Sequence, residues 1–167
     1  MEVTAAQVKE LREITGAGVM DCKRALIEAG GDKQKAAEIL RKQGLTAAEK
    51  KSHRTTEQGL VECYIHAGGR IGAMVEVNCE TDFVARTPDF KALARDLAMQ
   101  VAATGPLSVS EEDLPPAAEG DPKELCLLLQ AYIRDPGRTV QDIVNDVVAK
   151  TGENVQVRRF ARFELGS

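Results

Sequence analysis

The chain contains 167 residues, enough for one or two domains, and 43% of them are apolar, which suffices for a buried core. Its formal net charge of -4 argues against direct nucleic-acid binding, because proteins that wrap nucleic acids neutralise phosphates with lysine and arginine. The start lacks a basic segment followed by an apolar stretch, and no run of about 18 apolar residues occurs, so we expect a cytoplasmic protein that does not bind membranes.

Residues 1–44 are predicted to form a bundle of three short helices. Each helix carries apolar residues at helical spacing and ends at one or two glycines. The stripes are Val8, Leu11 and Ile14; Val19, Cys22, Ala25, Leu26 and Ala29; and Ala36, Ile39 and Leu40. Asp32 is suited to cap the third helix, which is expected to stop at Gly44. Residues 45–57 are polar and without apolar period, and we interpret them as a partly helical linker.

Residues 58–167 are predicted to form a second module that begins with a β-hairpin. Apolar and polar residues alternate on both sides of a turn at residues 67–70. Gly68 and Gly69 in this turn can adopt positive φ angles. The apolar residues assigned to one buried face are Val61, Cys63, Ile65, Ile71, Ala73, Val75, Val77 and Cys79.

The rest of this module is predicted to supply helices that cover the hairpin, followed by a last strand. Residues 107–121 between them are rich in turn formers. The predicted elements are a helix that starts at Thr87-Pro88 and ends before Gly105, a helix from Pro122 to about Tyr132, a helix capped by Thr139 that reaches Gly152, and a strand over residues 154–165. The fold class is therefore α+β: a helical bundle followed by a core of antiparallel strands covered by helices.

Motifs of covalent catalysis are missing from the sequence. It contains neither a phosphate-binding GxxxxGK[ST] loop, nor a GxSxG elbow, nor an HExxH metal motif. We expect a protein that is not an enzyme and that needs no metal or other cofactor. The cysteines are spaced too widely for a redox pair or a zinc knuckle and are interpreted as buried free thiols: Cys22, Cys63, Cys79 and Cys126.

Two segments place apolar side chains where a surface is expected. Met20, Lys23 and Ile27 share a helix face that points away from the predicted stripe. This face either binds a partner or lies against the linker or the second module. In the second segment, Thr81 can cap a short helical turn that contains Phe83. The ring either packs into the core or projects from the tip of the turn.

Three long segments of the sequence resemble the translation elongation factor Ts family. They are LREITGAGVMDCKRAL (residues 11–26), EVNCETDFVA (76–85) and GENVQVRRFARFEL (152–165), and RDPGRTV (134–140) is also similar. The resemblance implies a guanine-nucleotide exchange factor for the GTPase elongation factor Tu, with an N-terminal bundle of the ubiquitin-associated type. It further implies that this bundle contacts the GTPase through Arg12, Val19, Met20 and Lys23. A wedge near the magnesium and phosphate site of the GTPase would consist of Thr81, Asp82, Phe83 and Val84.

The chain departs from the family pattern in two respects. Residues 107–123 are compact and proline-rich where many members have a longer charged helical insertion, and the core subdomain is present in one copy where longer relatives repeat it. A single copy leaves a sheet edge and apolar surface uncovered, so a homodimer is expected.

Two other functions are compatible with parts of the sequence. A non-catalytic scaffold would use the helical bundle for protein binding and leave the TDFV segment without a role. RNA binding would use basic and aromatic residues of the last strand, which are Arg158, Arg159, Phe160, Arg162 and Phe163. The competing explanation for these residues is a strand whose alternate side chains are salt-bridged and buried.

Overall fold

The N-terminal bundle consists of three helices in the computed structural model, which describes residues 3–167. They are α1 (Ala5–Thr15), α2 (Val19–Glu28) and α3 (Lys33–Lys51). Thr4 and Gln7 form a capping box at the start of α1, and the Asp32 carboxylate accepts hydrogen bonds from two backbone N–H groups of α3. The small core of the bundle is formed by Val8, Leu11, Cys22, Ala25, Leu26, Ala36 and Leu40.

Helix α3 does not stop at Gly44, so the predicted helix end is wrong. The helix continues to Lys51 because its second half consists mainly of good helix formers and packs against a second helix, α7 (Val140–Thr151). Ala48 contacts the core of the second module, and Arg41 forms an ion pair with Asp142 at 3.4 Å. One helix thus belongs to both parts of the molecule, whereas the division of the chain at residues 44 and 57 stays a prediction.

A three-stranded antiparallel sheet forms the centre of the second module. Its strand order is β1-β2-β5, with β1 at Gln58–Ile65, β2 at Ile71–Cys79 and β5 at Val155–Glu164. The predicted turn is confirmed, since both Gly68 and Gly69 have positive φ angles. Helices α5 (Pro88–Thr104) and α7 cover one face of the sheet. The fold class is α+β, as predicted.

The buried face of β1 is the opposite of the predicted one. Leu60, Glu62 and Tyr64 are half-buried on the helix side, whereas Val61, Cys63 and Ile65 are exposed. The register explains the error, because the turn pairs odd-numbered residues of β1 with even-numbered residues of β2. Residues directly opposite each other share a face of the sheet, so the odd-numbered residues of both strands cannot be buried together.

The predicted helix from Pro122 to Tyr132 is also wrong in extent. Helix α6 covers only Pro122–Leu125, and after a 3-10 turn the chain forms a small hairpin of β3 (Ala131–Tyr132) and β4 (Asp135–Thr139). Tertiary contacts override helix propensity here. The fully buried Gln100 of α5 donates to the carbonyl of Ala131 and accepts from the backbone N–H of Ile133. The later helix and the last strand form as predicted.

Candidate partner-binding site

The segment after β2 forms a short helical turn that presents an aromatic ring to solvent. Helix α4 covers Asp82–Ala85, and the Thr81 hydroxyl caps it by accepting from the backbone N–H of Val84 at 3.4 Å. Val84 is buried and anchors the turn on the sheet, whereas Phe83 is 77% exposed. The alternative in which Phe83 packs into the core is therefore wrong.

The carboxylate next to the ring is accessible as well. Asp82 forms an ion pair with Arg86 one turn further along the chain at 2.7 Å, and both side chains keep much of their exposure. Exposed pairs of this kind contribute about 0 to 1 kcal/mol, so the pair can open when a competing partner approaches. The turn thus offers a ring and an acid side by side.

The base of the turn is held by Glu153, which the sequence analysis did not single out. One carboxylate oxygen accepts from the backbone N–H groups of Glu80 at 3.1 Å and Thr81 at 3.0 Å. The other oxygen accepts from the Thr81 hydroxyl at 2.6 Å. No local pattern could have shown this contact, because more than seventy residues separate the partners.

Cys79 lies just below the turn, and its thiol is buried away from solvent. Its thiol donates to the carbonyl of Thr81 at 3.1 Å. Burial raises the pKa of the Cys79 thiol, and the nearby charge of Glu153 raises it further. All four cysteines are free, but only three of them are buried, since Cys63 is exposed. The prediction of a buried thiol is wrong at that position because β1 turns its other face to the helices.

A second exposed surface lies on the N-terminal bundle. Four side chains of helix α2 lie within roughly 100° of the helix circumference. In their order around the helix they are Val19, Lys23, Ile27 and Met20. All four are exposed, Met20 to 66%. The alternative in which Met20 and Ile27 lie against the linker or the second module is therefore wrong.

The bundle core is shorter than the predicted stripes. Ile14, in the last turn of α1, is 69% exposed, and Val19, in the first turn of α2, is also exposed. Both belong to the predicted apolar stripes, and the family resemblance also gives Val19 as a residue that contacts the GTPase. They flank the connection between the helices, where the core residues Leu11 and Cys22 already close the bundle. Arg12 is exposed on α1, so the bundle presents apolar and cationic groups together.

The two predicted groups of site residues remain separate. Within residues 3–167, no hydrogen bond or ion pair joins the bundle residues to the Thr81–Val84 turn. They are linked indirectly, because Asn154 donates through its side chain to the carbonyls of Ser52 and Arg54, just beyond α3, and through its backbone to Glu80.

A third apolar surface, which the sequence analysis missed, is the outer face of the sheet. This outer sheet face consists of Val61, Cys63, Ile65, Met74, Phe163 and Leu165, which are all exposed. A groove of about 390 Å³ runs along it between β1 and the end of β5. Correct assignment of the β1 register from the turn would have revealed it.

The basic residues of β5 are engaged within the protein. Arg159 donates to Glu76 at 2.6 Å, and this hydrogen bond holds the pKa of Glu76 below its usual value. Arg162 donates to the carbonyl of Ala102 at 3.1 Å. Phe160 packs against the core as expected of a buried strand, whereas Phe163 is exposed because it lies three residues further along the strand and therefore on the opposite face. A bulge beside Glu76 shifts the alternation relative to the buried Val155 and Val157.

The described residues thus present apolar side chains on a braced turn and on one face of a helix. Among residues 3–167, no three His, Cys, Asp or Glu side chains are grouped to hold a metal. In the same part of the chain no helix is long and apolar enough to span a membrane.

Comparison with known proteins defines the family. The family model described as elongation factor TS matches residues 12–121. The chain is 52% identical to elongation factor Ts of Caldanaerobacter subterraneus subsp. tengcongensis, over 98% of the chain and 97% of the relative. It is 47% identical to elongation factor Ts of Thermotoga petrophila, over 99% of the chain and 98% of the relative. The chain belongs to the elongation factor Ts family.

The alignments also bear on chain length. They extend over 194 positions in both cases, more than the 167 residues of the chain. The relatives therefore contain residues that this chain lacks.

Proposed function

We propose that the chain is a guanine-nucleotide exchange factor for elongation factor Tu and acts in the cytoplasm during translation elongation. The observation that carries the proposal is Phe83, an exposed ring on a turn whose base is fixed by hydrogen bonds. Membership of the elongation factor Ts family supports the choice of partner. No covalent chemistry is involved, so the protein is not an enzyme in that sense.

The physical basis of exchange is the mutual support of the groups that hold GDP. In a GTPase, phosphate oxygens, Mg²⁺ and backbone N–H groups form one network, and loss of one contact weakens the others. Phe83 inserts between packed elements beside that network, and Asp82 leaves Arg86 to compete for hydrogen bonds there. The turn thus binds the loosened state more tightly than the GDP-bound state.

The energy required is within reach of one side chain. Each tenfold acceleration of GDP release requires about 1.4 kcal/mol of preferential binding to the loosened state. A large aromatic side chain at the centre of an interface commonly contributes more than this. By linkage, the nucleotide that enters afterwards weakens the binding of the factor and releases it.

The exposed residues of the bundle provide affinity. Val19 and Met20 offer apolar area, and Lys23 and Arg12 add positive charge that can pair with an acidic surface. Because they are separate from the turn, we expect them to set complex formation and not the rate of release.

Release of a fluorescent GDP analogue from elongation factor Tu tests the proposal. The factor should accelerate release, and Phe83→Ala should lower the maximal rate, whereas Met20→Ala should raise the concentration required for half-maximal effect. Leu107→Ala is a matched control, because this exposed apolar side chain lies on a segment without a proposed role. Binding without any acceleration would support the scaffold alternative, in which the bundle alone serves as a protein-binding module.

We further propose that two copies associate through the outer sheet face. Its exposed apolar residues are contiguous across three strands, since Met74 lies opposite both Cys63 and Ala161. A second copy presents the same face, as a two-fold interface requires. Sedimentation at micromolar concentration should show a dimer that Ile65→Lys converts to a monomer. A monomer for the unmodified protein would contradict this proposal.

A further inference from the structure

Glu153 stands at the junction between α7 and β5 and supports the exposed turn from below. It directly follows Gly152, whose positive φ angle ends the helix, and its side chain is half-buried. All three hydrogen bonds that its carboxylate accepts come from Glu80 and Thr81. These two residues immediately precede Asp82 and Phe83, so the carboxylate fixes the point from which the ring projects.

The contact also sets the direction of the hydroxyl that caps the turn. The Thr81 hydroxyl donates to Glu153, which leaves its lone pairs free to accept from the backbone N–H of Val84. A carboxylate only accepts hydrogen bonds, so it imposes this arrangement without an alternative. The capping interaction and the backbone of the turn therefore depend on the same side chain.

Asn154, the residue after Glu153, ties the junction between α7 and β5 to other parts of the protein. Asn154 is 3% exposed, its backbone N–H donates to the Glu80 carboxylate at 2.6 Å, and its side chain donates to the carbonyl of Arg54 at 2.8 Å. Arg54 also pairs with Glu80 at 3.4 Å. The side chain of Asn154 thus anchors the residue after Glu153 to the segment that follows α3, independently of the exposed turn.

We propose that Glu153 is a positioning residue for nucleotide exchange, which acts by holding the Thr81–Val84 turn rigid so that Phe83 enters the partner in one orientation. This inference rests on the proposed exchange function. A ring on a loose turn binds the partner at a cost in conformational entropy, and a side chain fixed beforehand avoids that cost. The loss should therefore affect the release step more than the initial encounter.

Glu153→Gln is the sharpest perturbation because it preserves shape. An amide has one acceptor oxygen and one NH₂ group, so it cannot accept from all three donors. If the NH₂ group faces the hydroxyl, Thr81 loses its acceptor; in the flipped orientation, two backbone N–H groups lose theirs. Asp146→Asn is a matched control, since it removes a carboxylate of the preceding helix α7 that pairs with Arg138 and not with the turn.

The rate of GDP release is measured against the concentration of factor. We expect Glu153→Gln to lower the plateau about tenfold, or about 1.4 kcal/mol, and to leave the half-saturating concentration within about twofold. Asp146→Asn should leave both unchanged. Partial unfolding would instead raise the half-saturating concentration and keep the plateau, and that result would overturn the inference, as would an unchanged plateau. If Glu153→Gln does not fold, Glu153→Asp takes its place, because it shortens the side chain by one methylene. It is likewise expected to lower the plateau and to leave the half-saturating concentration nearly unchanged.

Two further measurements separate this inference from a general structural role. In a Phe83→Ala background, Glu153→Gln should lower the plateau no further, because its effect passes through the ring. An additive loss would contradict that. Amide hydrogen exchange of the free protein should be faster at Glu80 and Thr81 in Glu153→Ala, which removes the oxygen that accepts from both backbone N–H groups, and unchanged exchange would overturn the inference. If the unmodified factor does not accelerate GDP release, the exchange function fails, whereas amide exchange still tests whether Glu153 holds the turn.

Discussion

Alanine in place of Gly44 should stabilise the protein. Gly44 lies within the helical residues of α3, where glycine is less favourable than alanine by about 1 kcal/mol. A Cβ atom at this position would lie 3.6 Å from the Cβ atom of Ala149, an ordinary van der Waals contact. We therefore expect a gain of about 0.5 to 1 kcal/mol in the free energy of unfolding. For a chain of this size, that gain corresponds to a rise of about 1 to 4 °C in Tm.

Urea unfolding followed by circular dichroism measures the effect. Gly16→Ala is the matched control, because Gly16 has a φ of +67°, a conformation that residues with a Cβ atom rarely adopt. That variant should lose about 1 to 2 kcal/mol. Loss of stability in Gly44→Ala would refute the reasoning, since it would mean that α3 does not continue through this residue against α7.

Gln100→Leu should lower the free energy of unfolding by about 1 to 3 kcal/mol, because the backbone N–H of Ile133 is left without its acceptor. Urea unfolding measures this loss, and an unchanged free energy of unfolding would contradict the role given to Gln100. Tyr132 donates to Asp96, and burial, followed by this contact, raises the pKa of Tyr132 from 10.0 to about 12. The folded state thus holds the phenol proton more tightly, so this contribution to stability is complete below pH 10 and is lost as the pH rises to about 12. The difference in unfolding free energy between the unmodified protein and Tyr132→Phe should shrink over that range, and a constant difference would contradict the assignment.

Local signals in the sequence were sufficient for much of the fold. Helix caps, a tight turn and a proline at a helix start each depend only on neighbouring residues, and the helices and strands that they delimit are present. They are the caps at Asp32 and Thr139, the Gly68-Gly69 turn and Pro88 at the start of α5. The end of α3 was wrongly predicted at Gly44, because glycine commonly ends a helix and the helix that packs against this part of α3, α7, is distant in the sequence.

The errors within the site also have a tertiary origin. The alternation in β1 has the correct period, but its phase depends on the register with β2, which the residues of β1 alone do not show. The turn around Phe83 could be located from its cap and its resemblance to the family. Glu153 could not, because only the fold brings it to Thr81.

The maximal rate of GDP release from elongation factor Tu, compared between the unmodified factor and Phe83→Ala, tests the central claim most directly. Because the ring is exposed, its removal should change the free energy of unfolding by no more than about 0.5 kcal/mol. We predict that a folded Phe83→Ala variant binds the GTPase yet loses at least about tenfold of the acceleration. A folded variant that retains the full maximal rate would contradict the claim that this ring drives exchange.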